Sequence, residues 1–332
     1  MEHYDVIIIG GGPAGLTAGL YTSRAGLRSL LLERGMLGGQ MANATLVENY
    51  PGFPEGIAGS ELGSLMHRQA VRYGLEVITA ELTGVSEGRP YSVATTGGSF
   101  EAAAIIIATG SEYRKLGVPG EERLSGRGVS YCATCDGFFF RNREVAVVGG
   151  GDTAITDALE LSQHASKVYV IHRRGQLRAE KALQERAFGH PKLEFIWDTV
   201  VEEGTGDQVL EVLKLRNVKT GQQSILKVDG VFVAVGLMPN SQLFFNILEI
   251  DDAGYIVTDE TMATSALGIF AAGDIRRNSP RQIAAAVGDG VTAAMSAFKY
   301  IQEQENGTRR ASPRGVATDR EQEMSGFTGP WL

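Results

Sequence analysis

The chain has little of what several functional classes require. It holds two cysteines and five histidines in 332 residues. That is too few thiols for a disulfide-stapled secreted scaffold. It is also too few ligands for a structural zinc site, which wants four, and none of the histidines has paired spacing. Positive charge is short as well: 31 Lys and Arg against 39 Asp and Glu leave a net charge of -8. That sign argues against nucleic acid or an anionic membrane as the main partner. No apolar run approaches a membrane span, since "AAAIIIA" (102–108) has only the length of a core strand. The opening residues, "MEHYDVIIIGGG", enter a strand at once. No signal peptide is therefore expected, and a cytoplasmic location is.

Glycine, by contrast, is abundant at 43 residues, and it is clustered. "VIIIGGGPAGLTAGLYTSRAGLRSLLLERG" (6–35) aligns without a gap on "VAVVGGGDTAITDALELSQHASKVYVIHRR" (145–174), at an offset of 139. Each reads as a β-branched run, a glycine turn, a segment with helical spacing of apolar residues, and a second β run. The spacing predicts a βαβ unit occurring twice. Gly10, Gly12 and Gly15 form G-x-G-x-x-G; Gly149, Gly151 and Ala154 form G-x-G-x-x-A. In such a fingerprint the first residue makes the tight turn and the second lets backbone approach a pyrophosphate. The third lets helix pack on strand, with the phosphates at the helix N-terminus. One fingerprint alone also fits any strand–turn–helix corner; two in register point to dinucleotides.

The end of each second strand separates the two sites. Glu33 lies 23 positions after Gly10, and His172 lies 23 after Gly149, followed by Arg173, Arg174 and Arg178. A carboxylate accepts hydrogen bonds from a ribose 2′-OH and repels a 2′-phosphate, whereas arginines offer forks of donors to a dianion. The expectation is FAD at the first site and NADPH at the second. Closing strands "AAAIIIATG" and "VDGVFVAVG" follow the two units, and "LEVLKLRNVKTGQQSILKVDG" has the pattern of antiparallel strands. The predicted fold is α/β, with two Rossmann-like dinucleotide-binding domains, the NADPH domain inserted into the FAD domain. Residues 1–114 and 241–305 are assigned to FAD, 115–240 to NADPH and the redox pair, and 306–332 to a flexible tail.

Both cysteines lie in "SYCATCDGFFF" (130–140). Half a metal site fails on ligand count, and two inert buried thiols at this spacing would be coincidence. C-x-x-C allows a disulfide to open and close with little backbone movement, and a helix start beside it favours the thiolate. Asp136, next to Cys135, is placed to move a proton. Between two dinucleotide sites, the pair reads as a relay for electrons.

The chain resembles the low-molecular-weight, bacterial-type thioredoxin reductases over residues 4–305. The motifs that carry the likeness are "GGGPAG", "GGQ", "VENYPG", "ATG", "CATCDGFF", "GGGDTA", "HRRGQLRAEK", "AAGDI" and "RQIAAAVGDG". The resemblance implies a homodimer with non-covalent FAD, NADPH as donor, and an inserted domain that swings so that the dithiol reaches thioredoxin or a thioredoxin-like protein. Segments 116–120 and 238–241 would be the hinge. Cys132 would attack the thioredoxin disulfide, Cys135 would face the flavin, and Asp136 would serve as acid and base. Gln40, Asn49, Thr109, Gly110, Gly273, Asp274, Arg281 and Gln282 would contact FAD. His172, Arg173, Arg174 and Arg178 would hold the 2′-phosphate. Relatives that take electrons from ferredoxin, or run as dithiol oxidases, are the alternative; the intact "HRRGQLR" argues against both. The end of the chain, "SGFTGPWL", departs from the pattern, and its aromatic residues suggest a segment that docks on its own flavin domain or on the other subunit.

Overall fold

The computed structural model describes residues 1–44, 46–86 and 88–311. The chain opens with β1 (Glu2–Ile9), α1 (Pro13–Arg24) and β2 (Ser29–Glu33). β1 and β2 pair in parallel from Val6 on Ser29 to Ile9 on Leu32. α2 (Gly59–Val71), β3 (Glu76–Thr79), β4 (Leu82–Ser86), β5 (Tyr91–Thr95) and β6 (Gly98–Ile107) follow. The strand order is β3-β2-β1-β6-β5-β4. β1 and β6 are apolar on both faces, as parallel strands covered on both sides must be. Val6, Ile8, Leu31, Ala104 and Ile106 face α1 and the C-terminal helix. Ile7, Ile9, Leu30, Leu32, Ile105 and Ile107 face the opposite layer, against Tyr91, Val93 and Phe244. The period of two thus builds two cores on one sheet.

Next comes β7 (Ser111–Tyr113), then the inserted unit: β8 (Val129–Ser130), α3 (Ala133–Asp136), β9 (Glu144–Val148), α4 (Asp152–Leu161), β10 (Lys167–Ile171), α5 (Lys181–Phe188) and β11 (Leu193–Ile196). β12 (Thr199–Thr205), β13 (Val212–Asn217), β14 (Gln223–Lys227) and β15 (Gly230–Val233) complete it. Its parallel sheet runs β11-β10-β9-β15-β8, and β12-β13-β14 form a second, antiparallel sheet, as "LEVLKLRNVKTGQQSILKVDG" predicts. The same alternation recurs: Val145, Val147, Val168 and Val170 pack toward α4. Ala146, Val148, Ile171 and Val233 pack on Leu213 and Leu215 of the antiparallel layer.

β16 (Leu237–Pro239) returns antiparallel to β7, making a two-stranded ribbon at the entrance and exit of the inserted unit. β17 (Ile269–Ala271) then adds to β6, and α6 (Ile283–Ala311) closes the first unit against α1. α6 runs past the boundary expected at 305. Residues 312–332, and with them "SGFTGPWL", lie outside the described residues.

The candidate redox and dinucleotide site

The first glycine turn is built by close approach. Gly10 has φ +110°, and a Cβ there would lie 2.3 Å from the Ala108 carbonyl oxygen. A Cβ on Gly15 would lie 1.8 Å from the Gly10 carbonyl oxygen, so α1 can meet the turn only without a side chain. Beside Gly12, by contrast, there is open space for 4 Å, at the start of a helix with Pro at its first turn. Glu33 ends β2 with its carboxylate fixed by two backbone donors, Gly11 N–H at 2.6 Å and Gly35 N–H at 2.8 Å. This cradle, with its acidic rim, suits a dinucleotide whose ribose hydroxyls are unphosphorylated.

The other residues expected to contact FAD lie in loops and turns of the first unit. Thr109 and Gly110 follow β6, and Thr109 exchanges two hydrogen bonds with Asn240 across the ribbon. Gln40 donates to the Ser111 carbonyl at 3.2 Å. Asn49 donates to Gln282 at 3.2 Å, at the start of α6. Asp274 lies in a short helical turn that begins at Gly273; it accepts from Ser279 at 3.0 Å, while burial pushes its carboxyl above the usual range. Arg281, at φ +57°, lays its guanidinium over the Tyr255 ring.

In the second unit Gly151 also faces open space, and Ala154 packs fully buried behind the turn. Arg173, Arg174 and Arg178 are exposed, and none has an ion pair among the described residues. Arg28, Arg34, Arg143, Arg216 and Arg276 all do. Three unpaired guanidinium groups at a strand end suit a phosphate dianion. His172 is placed differently from its neighbours. It is 6% exposed, its ring lies against Gly150 and edge-on to Trp197, and its Nε2 has no hydrogen-bond partner. Burial and then Arg178 hold its pKa below the usual histidine value. His172 therefore packs under the turn, whereas the arginines are exposed.

Cys132 and Cys135 form a disulfide. Cys132 caps α3, its sulfur accepting from Cys135 N–H at 3.2 Å. Cys135 is exposed and Cys132 half-buried. Asp136 accepts from Ser130 Oγ at 2.6 Å; burial raises its pKa and that hydrogen bond opposes the rise. Asp136 and Asp157 of the inserted unit act electrostatically on Tyr113, as do Asp274 and Arg281 of the first. Tyr113 itself stacks on Tyr131, the residue before Cys132. Sequence reasoning did not single out Ser130, Tyr113 or Asp157, because a serine, a tyrosine and an aspartate at unremarked spacings carry no motif.

A family model for pyridine nucleotide-disulphide oxidoreductases matches residues 4–290, and the chain belongs to that family. Within it the likeness is to thioredoxin reductases. That of Listeria monocytogenes is 53% identical over 302 residues, covering 90% of this chain and 94% of the relative. The crystal structure of thioredoxin reductase from Streptococcus pyogenes is 46% identical, covers 91% of this chain and 99% of its own, and overlays with a TM-score of 0.88. The Lactococcus lactis enzyme in its FR conformation, also 46% identical and covering 90% and 99%, overlays at 0.62.

Proposed function

We propose that this chain is a thioredoxin-disulfide reductase that passes electrons from NADPH, through FAD and the Cys132–Cys135 pair, to the disulfide of thioredoxin. The observation that carries the reading is the Cys132–Cys135 disulfide on the inserted unit, in a chain that builds two glycine turns suited to dinucleotides. Residues 1–114 and 241–305 would hold FAD, using the Gly10–Gly15 turn, Glu33, Gln40, Asn49, Thr109, Gly110, Gly273, Asp274, Arg281 and Gln282. Residues 115–240 would hold NADPH, using Gly149, Gly151, Ala154 and the three unpaired arginines. His172, packed under the turn, would complete that site.

FAD, when bound, supplies acceptance of a hydride from NADPH and delivery of two electrons to a disulfide. The chain's own residues do the rest. Cys135, the exposed sulfur, takes the electrons, opening the bond to Cys132. The Cys135 N–H donor stabilises negative charge on the Cys132 sulfur, which favours the thiolate as nucleophile. Cys132 then attacks one sulfur of the thioredoxin disulfide, and the other leaves as a thiolate that needs a proton. Cys135 resolves the mixed disulfide, restoring the Cys132–Cys135 bond and releasing the second thioredoxin sulfur. Asp136, with its pKa raised, supplies and recovers protons in these exchanges.

The dithiol that faces the flavin edge must also face a protein substrate, so the inserted unit turns on its ribbon between the two tasks. The unequal overlays on two relatives of equal identity support this. No helix among the described residues is long and apolar enough to cross a membrane. A homodimer in the cytoplasm completes the reading. The test is an anaerobic titration of the yellow holoenzyme. NADPH should bleach the flavin and NADH should barely do so, and the reduced enzyme should then reduce thioredoxin. Flavin left oxidised by both nucleotides would overturn the donor and point to ferredoxin or to a dithiol oxidase.

A further inference from the structure

Two tyrosines outside every motif meet beside the disulfide. Tyr113 ends β7, a strand tied to the first unit by the Gln40 bond to the Ser111 carbonyl and by the Arg34–Glu112 ion pair. Tyr131 belongs to the inserted unit. It immediately precedes Cys132, and its hydroxyl donates at 2.9 Å to Glu121. Glu121 is 4% exposed and is itself fixed by Leu116 N–H at 2.8 Å and Gly117 N–H at 2.7 Å. The two rings stack with centroids 5.4 Å apart and planes inclined at 28°. One ring is anchored before the insertion, the other inside it, at the residue next to the attacking cysteine.

We propose that the Tyr113–Tyr131 stack is a positioning contact: it holds the inserted unit with its disulfide toward the flavin edge, and it opens when the unit turns toward thioredoxin. This rests on the function proposed above. The geometry gives the reason. Each of the five hydrophobic clusters lies within one unit or the other. The balance between two arrangements is therefore set by small contacts at the ribbon, and an aromatic pair is large on that scale. Losing it should shift the ratio of arrangements by about two- to tenfold.

The experiment compares Tyr113→Leu and Tyr131→Leu with Tyr113→Phe and Tyr131→Phe in the holoenzyme. The ratio of arrangements is read by small-angle X-ray scattering, which needs neither electron donor nor acceptor. Either leucine variant should shift the ratio about two- to tenfold toward the turned arrangement, and both phenylalanine variants should match the native protein, since the ring and not the hydroxyl makes the contact. In stopped flow the leucine variants should slow electron transfer to the disulfide relative to flavin reduction by NADPH. Scattering that does not move in the leucine variants overturns the proposal, as does an equal shift in the phenylalanine variants. The two leucine changes break the contact from opposite sides, so one that fails to fold leaves the other to decide. Failure of the native enzyme to reduce thioredoxin would instead strike the proposed function and leave the scattering result to stand.

Discussion

At the scale of single residues, the acids around the disulfide work at some expense to stability. Burial raises the pKa of Asp136, and it pushes Asp157 up to about 7, with Glu160 adding to the shift. A carboxyl whose folded pKa is raised favours folding while protonated. That contribution is full below about pH 4 and is lost as pH rises through 7. Asp157→Asn should therefore raise the melting temperature at pH 8 and flatten its decline between pH 4 and 7; an unchanged pH profile would remove Asp157 from the account. Asp136→Asn should likewise leave the melting temperature at pH 8 equal or higher while slowing thioredoxin reduction by about 10²–10⁴, the usual worth of a positioned acid–base group. Turnover within a few-fold of native would exclude Asp136 as the proton carrier. Little of this was visible beforehand. Asp136 could be named because it touches the C-x-x-C. Asp157 is one of several acids on a helix, and only folding reveals that it is partly buried.

At the scale of elements, glycine positions decide how closely helices meet the sheet and each other. Gly290 and Gly288 lie on the same helix, α6, with opposite surroundings. A Cβ on Gly290 would fall 2.4 Å from the Ala14 carbonyl oxygen, whereas Gly288 has open space for 4 Å. Gly290→Ala should destabilise by roughly 1–3 kcal/mol through overpacking. Gly288→Ala should instead stabilise by about 0.4–1 kcal/mol, since alanine lowers the entropy of the unfolded chain. Chemical denaturation of both variants checks the pair, and equal effects would contradict this packing. The elements were the most legible part of the sequence. The duplicated run of β-branched residues, glycines and helical spacing is local, and local patterns determine strand, turn and helix. His172 shows the limit: its place beside three arginines suggests a phosphate ligand, while its packing under Gly150 could not be read. Burial there depends on β11 and Trp197, 25 residues away in the chain, which no motif around His172 reports.

At the scale of the whole molecule, two units share a ribbon of three residues on each strand. The proposed homodimer should sediment at twice the 35.5 kDa of one chain, and a monomer at micromolar concentration would refute it. The repeated unit with its closing strand was readable in the sequence, but the Tyr113–Tyr131 contact was not, because orientation between units leaves no periodicity in either. The topology also has a consequence for biosynthesis. β17, which pairs with β6, and α6, which covers α1, both come after the inserted unit in the chain. The inserted unit, by contrast, is continuous from β8 to β15. As the chain leaves the ribosome, the half that begins first must wait open while the half that begins second completes itself. A nascent chain arrested after residue 240, on a linker long enough to carry that residue out of the exit tunnel, should show a protease-resistant core at 115–240. Residues 1–114 should remain cleavable until α6 emerges; early resistance there would mean that the first sheet does not need its last strand.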